Sequence, residues 1–247
     1  MPDPMHFDRH AELYDRARPP YPAALIDRLA DLGLLRAGAR ALDLGAGSGQ
    51  ATRILVQAGM EVTAVEPGPA LAARLQEALP GVDVLRSTVE RAALPAGAFD
   101  LVTIATAVHW LDLDVVLPAL HRALAPGGRL AVWRTAYGDP SVPPGPFRRR
   151  IQAIVDAREA PARPQPGETE TARWAAALEA GGLFRTVHTE EFAWTIVLDE
   201  DAVRDLFTTF SDWTPAEAEE AARAVRDLGG SVTEHYLSPL LVLAPAG

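Results

Sequence analysis

Residues 41–50 read Ala-Leu-Asp-Leu-Gly-Ala-Gly-Ser-Gly-Gln, and this stretch decides how the chain folds. An apolar run that includes one aspartate is followed by glycine at every second position, and residues 51–58 have the composition of a helix. This order predicts a buried strand, a tight glycine turn and the N-terminus of a helix. Glycine leaves the backbone of such a turn open to a ligand, which a side chain would block.

The residue types around the turn indicate which ligand it suits. A second predicted strand, 61–66, ends in Glu66, and a carboxylate at that tip can accept hydrogen bonds from both hydroxyls of a ribose. The dinucleotide fingerprint requires glycine or alanine where this chain has Gln50. Asp43, beside the turn, would repel a pyrophosphate and favour a cation. S-adenosylmethionine carries an ammonium and a sulfonium but no phosphate, so these charges favour it over NAD.

The glycine turn together with Glu66 resembles the cofactor signature of class I S-adenosylmethionine-dependent methyltransferases. Three further segments resemble the methyltransferase type 11 subgroup that contains the trans-aconitate methyltransferases. They are Phe7-x3-Ala11-x2-Tyr14-x3-Arg18-Pro19-x-Tyr21-Pro22, His109-Trp110 and Leu124-Ala-Pro126-Gly127-Gly128. The resemblance covers residues 5–135, and beyond them it concerns the architecture.

The resemblance implies a set of site residues for S-adenosylmethionine, with S-adenosylhomocysteine as the product. The implied cofactor contacts are Tyr14, Arg18, Asp43, Gly45, Ala46, Gly47, Glu66, Pro67, Thr88, Val89 and Thr106. Thr88 and Val89 would border the adenine. The implied substrate contacts are Tyr21, Trp110 and Arg134.

Two residues are candidates for the chemistry itself. His109 follows the fourth predicted strand, where a histidine can act as a general base, and Tyr14 is the second candidate. The alternative is that His109 packs and hydrogen-bonds within its loop, since many methylations of carboxylate oxygens need no base at neutral pH. No metal site is expected, because the chain has no cysteine to provide a thiolate ligand.

Strand and helix patterns alternate along the first half of the chain and predict a parallel sheet covered on both faces. Strands are predicted at 40–44, 61–66, 82–87, 99–105 and 129–134, and two more at 184–198 and 231–244. The long excursion before the last two suggests an antiparallel pair at one edge. The resemblance implies an α/β, Rossmann-like, doubly wound seven-stranded sheet of order 3-2-1-4-5-7-6, with the last strand antiparallel.

The expected organisation is a single class I methyltransferase domain over residues 1–247 with two additions. Residues 1–20, with helical spacing before Pro19-Pro20, are predicted to form a lid; alternatively they pin the N-terminus to the core. Residues 136–168 are proline-rich, surround an arginine-rich helix and are predicted to form an inserted cap arm; alternatively they form a peripheral helix between loops.

The net charge and the distribution of apolar residues indicate which kinds of partner the protein binds. A net charge of −10 argues against a nucleic-acid partner, and the basic cluster Arg148–Arg150 is interpreted as a solvated helix face. No run approaches the length and apolarity of a membrane span, and no signal-peptide pattern is visible. We therefore expect a cytoplasmic protein that binds a small molecule; the sequence leaves its oligomeric state open.

The predicted function is methyl transfer to a small molecule, on a carboxylate or hydroxyl, by direct displacement. One alternative is a protein of this fold that uses S-adenosylmethionine for another reaction, such as a cyclisation. An NAD-dependent oxidoreductase is disfavoured by Gln50 and Asp43, and a binding module with a dead site is disfavoured by the intact glycine motif.

Overall fold

The computed structural model describes residues 6–158 and 171–246, with side chains from Phe7 onwards. The helices are α1 (His6–Arg9), α2 (Ala11–Ala17), α3 (Ala23–Asp31), α4 (Gln50–Gln57), α5 (Pro69–Ala78), α6 (Leu113–Ala123), α7 (Pro146–Asp156), α8 (Thr171–Glu179), α9 (Glu200–Thr208) and α10 (Pro215–Asp227). The strands are β1 (Arg40–Leu44), β2 (Glu61–Val65), β3 (Asp83–Leu85), β4 (Phe99–Ala105), β5 (Leu124–Trp133), β6 (Phe184–Asp199) and β7 (Ser231–Pro245). Within the described ranges, no helix is both long enough and apolar enough to cross a membrane.

The seven strands form one sheet in the order β3-β2-β1-β4-β5-β7-β6. The pairs β1–β2, β2–β3, β1–β4 and β4–β5 are parallel, and β7 runs antiparallel to β5. The predicted fold class, the strand order and the antiparallel last strand are therefore confirmed. The order reverses between β1 and β4, and ligands of such sheets bind beyond the carboxyl ends of the strands at this switch point.

Two strands differ from the prediction by two or more residues at one end. β3 is limited to Asp83–Leu85, the three residues that pair with β2. β5 begins at Leu124 rather than at residue 129, because Leu124 pairs with Phe99 ahead of an irregularity in the register. The Pro-Gly-Gly sequence at 126–128 consequently lies inside an irregular strand, ahead of the predicted strand start at residue 129.

The chain divides into two compact units. The larger, here called the sheet unit, consists of residues 20–135, 171–192 and 238–246. Alternate residues of its strands enter two different apolar clusters, as strand geometry requires of a sheet covered on both faces. Leu42, Leu44 and Val132 belong to one cluster, whereas Ala41 and Trp133 belong to the other.

The second unit, here called the helical unit, consists of the described parts of residues 1–19, 136–170 and 193–237. α7, α9 and α10 share an apolar core that includes Phe147, Ile151, Leu206, Phe207 and Val225. A capping box starts α10, with the side chains of Thr214 and Glu217 satisfying each other's backbone N–H groups.

The described residues of the predicted lid and of the predicted arm belong to the helical unit, apart from Pro20, which belongs to the sheet unit. Residues 1–5 of the predicted lid and 159–168 of the predicted arm lie outside the described residues. A hydrogen bond from Arg18 to the hydroxyl of Tyr137 joins the N-terminal segment to the start of the arm. The single-domain organisation and the covering roles of both segments stay predictions.

Candidate functional site

The glycine turn follows β1 and leads directly into α4. Gly45, Gly47 and Gly49 have φ angles of 63°, 58° and 93°, in the left-handed region that glycine adopts without strain. The backbone N–H groups of Gly45 and Ala46 both donate to the carbonyl of Val65, at 2.9 and 3.1 Å. These two hydrogen bonds fasten the turn to the end of β2.

Gly45 also lies against the loop that follows β4. A Cβ atom placed on Gly45 would stand 2.7 Å from the Cβ of Ala107, closer than real Cβ contacts come. Close packing therefore requires glycine here, in addition to the backbone angle. The contact brings the turn after β1 beside the loop after β4, which is the switch point of the sheet.

Glu66 connects the turn to the segment after β2. The residue is 6% exposed. Its Oε2 accepts a hydrogen bond from the N–H of Gly47 at 2.9 Å, and its Oε1 accepts one from the N–H of Gly68 at 2.7 Å. A carboxylate has about four acceptor sites, so two backbone bonds do not by themselves exclude a bond from a ribose hydroxyl. The predicted ribose contact stays a prediction, and no sequence pattern indicated that Glu66 would also bond to the backbone of the turn.

Asp43 lies behind the turn and is fully buried. Its Oδ2 accepts from the hydroxyl of Thr52 at 2.6 Å, and its Oδ1 accepts from the hydroxyl of Thr103 at 2.8 Å. Burial is the largest influence on this group and raises the pKa of Asp43 to about 6, against the lowering effect of the two hydroxyls. Because both oxygens are engaged within the protein, Asp43 suits a supporting role, and its predicted contact with the cofactor stays a prediction.

The raised pKa predicts a pH dependence of stability. As pH rises, Asp43 of the unfolded chain, with a pKa of 3.8, loses its proton at a lower pH than Asp43 of the folded chain. The free energy of unfolding therefore contains a component that is present below pH 4 and is lost as pH rises through 6. The difference between the pKa of 3.8 in the unfolded chain and about 6 in the folded chain corresponds to about 3 kcal/mol. We expect Asp43→Asn, which cannot ionise, to lack this component in urea unfolding measured across pH 4–7.

The matched control for this measurement is Asp27→Asn, which changes an exposed carboxylate of α3. We expect its pH profile to follow that of the unaltered chain. The asparagine at 43 can accept from one threonine hydroxyl and donate to the other, so the packing is kept. An Asp43→Asn variant with the unaltered pH profile would contradict the assignment.

Ser48 is a residue of the turn that the sequence reading did not select. It is 1% exposed, and its Oγ has no hydrogen-bond partner within residues 7–158 and 171–246. A buried hydroxyl without a partner is costly, and a polar ligand at the turn would satisfy it. Its position between two left-handed glycines is the signal that could have identified it.

The two residues predicted to border the adenine, Thr88 and Val89, differ in exposure. Thr88 is exposed, directly after β3 and its short connection, whereas Val89 is 4% exposed and belongs to the apolar core. Pro67, at the end of β2, is exposed. Thr88 and Pro67 can thus reach a ligand by their side chains, and a contact from Val89 would come from its backbone.

Thr106 is held in an uncommon conformation at the end of β4. Its φ is 57°, which is unusual for a β-branched residue and costs on the order of 1–3 kcal/mol. Its N–H donates to the carbonyl of Trp133 at 2.8 Å, and its hydroxyl hydrogen-bonds with that of Tyr21 at 3.0 Å. The structure therefore brings together a predicted cofactor contact, Thr106, and a predicted substrate contact, Tyr21.

The remaining candidates of the sheet unit follow β4 and β5. His109 is exposed and Trp110 is half-buried, and their rings lie 4.9 Å apart in a short 3₁₀ turn. Arg134 is half-buried directly after β5. All three follow the carboxyl ends of strands that run parallel to β1, so they lie at the same edge of the sheet as the glycine turn. Their predicted catalytic and substrate roles stay predictions.

Tyr14 and Arg18 belong to the helical unit. The guanidinium of Arg18 lies over the rings of Tyr14, Tyr137 and Phe210, with distances of 4.9, 5.5 and 4.7 Å to the ring centroids. Arg18 also donates to the hydroxyl of Tyr137 at 2.7 Å and to the carbonyl of Thr209 at 3.0 Å. These contacts give Arg18 a structural role, and its predicted cofactor contact stays a prediction, as does that of Tyr14.

Comparison with known proteins identifies a family that the chain matches. Residues 42–132 match the family described as "Methyltransferase domain". This segment begins within β1 and ends within β5, so it includes the glycine turn, Glu66 and Thr106.

The chain contains a methyltransferase domain.

Relatives and solved structures agree with this assignment. An uncharacterized methyltransferase of Mycobacterium tuberculosis is 44% identical over 123 residues, which are 49% of this chain and 49% of the relative. A malonyl-[acyl-carrier protein] O-methyltransferase of Pseudescherichia vulneris is 34% identical over 137 residues, or 53% of each chain. This chain thus spans about half the length of the curated relatives it matches.

A solved structure from Anaeromyxobacter dehalogenans, of a proposed type II methyltransferase, extends the likeness across the fold. It is 26% identical, with a TM-score of 0.62, and the alignment covers 92% of this chain and 96% of that one. The resemblance to class I S-adenosylmethionine-dependent methyltransferases is confirmed for the domain and its fold. The narrower resemblance to the trans-aconitate subgroup stays a prediction.

The match to the methyltransferase domain separates the candidate residues into two groups. The segment 42–132 contains the candidates from Asp43 to Trp110. Tyr14, Arg18, Tyr21 and Arg134 lie outside it. Among these four, Tyr21 has a described hydrogen bond to a residue of the methyltransferase domain, Thr106.

Proposed function

We propose that this chain transfers a methyl group from S-adenosylmethionine to a small molecule by direct displacement and releases S-adenosylhomocysteine. The observation that carries the proposal is the glycine turn at the switch point, with Glu66 bonded to its backbone and the unsatisfied hydroxyl of Ser48 within it. The net charge of −10 favours a small molecule over a nucleic acid.

The residues at the turn fit this cofactor better than a dinucleotide. The backbone of Gly45, Ala46 and Gly47 lets the ligand approach, while Glu66 receives the ribose hydroxyls and Thr88 borders the adenine. Residues 41–50 contain no lysine or arginine that would neutralise a pyrophosphate, and Asp43 lies behind the turn. A cationic ligand suits this distribution of charge.

When bound, S-adenosylmethionine supplies a methyl group that is already activated for transfer. The protein therefore has to align the acceptor and exclude water, and alignment alone can contribute roughly 7–11 kcal/mol. Thr106 and Tyr21, joined by their hydroxyls after β4 and before α3, present a fixed polar edge to an acceptor. Trp110 and Arg134 are the further candidates for acceptor contacts.

An oxygen atom is the proposed methyl acceptor. The relative from Pseudescherichia vulneris is an O-methyltransferase by name, and a carboxylate oxygen needs no deprotonation at neutral pH. With a carboxylate acceptor His109 has a positioning role, and with a hydroxyl acceptor its imidazole can take the proton.

The lid and the arm are proposed to act together. The Arg18–Tyr137 hydrogen bond links the two segments, and an ion pair of 2.8 Å from Arg16 to Asp205 ties α2 to α9. A change in position of one segment would therefore involve the other. Covering segments serve methyl transfer because water must be kept from the reacting groups.

The proposal is tested by following both products of the reaction. The full chain is incubated with S-adenosylmethionine and a panel of carboxylic acids and alcohols, and S-adenosylhomocysteine and methylated products are quantified by mass spectrometry. We expect the two products in equal amounts with at least one acceptor, and neither without an acceptor. A cofactor that binds but yields no S-adenosylhomocysteine with any acceptor, while an acceptor is converted, would indicate the alternative of a reaction without methyl transfer.

A further inference from the structure

A cavity lies wholly within the helical unit, apart from the methyltransferase domain. Its volume is about 710 Å³, within the range of about 300–1,000 Å³ that small-molecule sites occupy. It is lined by residues of the loop that opens the arm and of the start of β7, between 137 and 148 and between 228 and 235. None of its lining residues belongs to the segment 42–132, so it is a different site from the glycine turn.

Much of the cavity wall is apolar and conformationally restricted. Pro143, Pro144 and Pro146 line it, and proline fixes the φ angle at each of these positions. Phe147 and Val232 add apolar surface and are themselves 3% and 9% exposed, so they are anchored in the core of the unit. A ligand with an apolar body would meet a surface that is already formed.

An ion pair supplies the charged part of the wall. Nη2 of Arg148 contacts Oε2 of Glu234, and both residues line the cavity. The side chain of Glu234 is 5% exposed and that of Arg148 is 26% exposed, so the guanidinium is the group that a ligand can reach. The carboxylate holds the guanidinium in place while the other N–H groups of its five stay available to a ligand.

Gly138 fixes the position of this guanidinium from a second side. Its φ is 130°, and a Cβ placed on it would lie 3.5 Å from Cζ of Arg148, which is ordinary contact distance. The guanidinium therefore packs over the backbone of the loop. An arginine held between a buried carboxylate and a backbone segment is preorganised to receive an anion with its planar fork.

The remaining charges limit the anion that fits. Asp139 also lines the cavity, and its Oδ1 accepts from the N–H and the hydroxyl of Ser141 at 2.9 and 2.6 Å. Two carboxylates, Asp139 and Glu234, line the cavity together with one guanidinium, that of Arg148. The second carboxylate opposes a dianion such as a phosphate ester, so the anion that Arg148 receives carries one negative charge.

We propose that this cavity binds a small molecule with an apolar body and a single carboxylate, which Arg148 receives. The apolar body lies against Phe147, Val232 and the prolines. The site does not depend on the proposed methyltransferase function, because its ligand can be the methyl acceptor or a second ligand that is not methylated. The test below distinguishes these two sources.

The test measures binding of benzoate, hexanoate, cinnamate and phenylpropionate to the full chain by calorimetry and ligand-observed NMR. The primary amide of each acid, which has the same shape without the charge, is measured beside it. We expect at least one acid to bind with one site per chain and its amide to bind at least about tenfold more weakly, or about 1.4 kcal/mol. Failure of all four acids to bind, or equal binding of acid and amide, would overturn the proposal.

Variants locate the binding. Arg148→Met combined with Glu234→Gln removes both charges together, so that neither is left buried without its partner. This double variant is expected to fold, as judged by circular dichroism, and to bind the acid at least about tenfold more weakly. Arg150→Met, which alters an exposed arginine of the same helix outside the cavity, is the control and should bind normally. Unchanged affinity in a folded double variant would remove Arg148 from the site.

Adding S-adenosylmethionine to the same samples shows whether the bound acid is the methyl acceptor or a second ligand that is not methylated. A methyl ester of the bound acid, detected by mass spectrometry with the unaltered chain and absent with the folded double variant, identifies the cavity as the acceptor site. Binding that persists without ester formation identifies a second ligand. In both cases the carboxylate site stands, and it also stands if the chain proves not to bind S-adenosylmethionine.

Discussion

Replacing Glu66 with alanine is expected to weaken both the sheet unit and its affinity for S-adenosylhomocysteine. The change removes the acceptor of two backbone hydrogen bonds, from Gly47 and Gly68, at a residue that is 6% exposed. Hydrogen bonds to charged groups contribute about 1.5–3 kcal/mol each, so we expect a loss of about 3 kcal/mol or more in the free energy of unfolding. Urea unfolding of the two proteins measures this loss.

The affinity is expected to fall in addition, because the ribose loses its acceptor and the turn loses its clamp. Removing one charge-assisted contact costs about 1–3 kcal/mol, which is a weakening of about fivefold to about 150-fold in the dissociation constant. Glu61→Ala, at the exposed start of β2, is the control for the loss of a carboxylate from this part of the chain. A Glu66→Ala protein with unaltered affinity and stability would mean that the carboxylate neither holds the turn nor receives the ribose.

Gly45→Ala is expected to destabilise the sheet unit to a similar extent. Its Cβ would overlap with that of Ala107, and the residue would have to keep a φ of 63°. Overpacking costs about 1–3 kcal/mol and a left-handed conformation costs about 1–2 kcal/mol. We expect the free energy of unfolding to fall by about 2–5 kcal/mol from the sum of these two effects.

Two further variants separate the overlap with Ala107 from the cost of the left-handed backbone conformation. Ala107→Gly in the background of Gly45→Ala removes the overlapping atom, so it should restore the packing part of the loss. Gly33→Ala measures the backbone part alone, because Gly33 has a φ of 67° and no atom within 4 Å of the added Cβ. If Gly45→Ala costs no more than Gly33→Ala, the close approach to Ala107 does not limit the turn.

The central strands and the turn could be predicted because their information is local. The apolar run, the alternating glycines and the helix pattern adjoin one another at residues 41–58, and the order of the strands followed from the resemblance. Boundaries such as the start of β5 could not be predicted, because the pairing of Leu124 with Phe99 depends on a neighbouring strand.

The supporting contacts of the candidate site depend on residues that are distant along the chain. Thr103, which bonds to Asp43, is 60 positions away from it. The partners of Arg18 are 119 and 191 positions away, so nothing in the N-terminal segment indicates that its arginine packs among aromatic rings. The division into two units has the same origin, since the helical unit is assembled from three separate parts of the chain.

The most direct test of the account is a calorimetric titration of the full chain with S-adenosylhomocysteine and, separately, with NAD. The turn at residues 45–47, the carboxylate of Glu66 and the absence of a basic residue from residues 41–50 predict binding of one S-adenosylhomocysteine per chain and no measurable binding of NAD. Tight binding of NAD, with no heat from S-adenosylhomocysteine, would contradict the account.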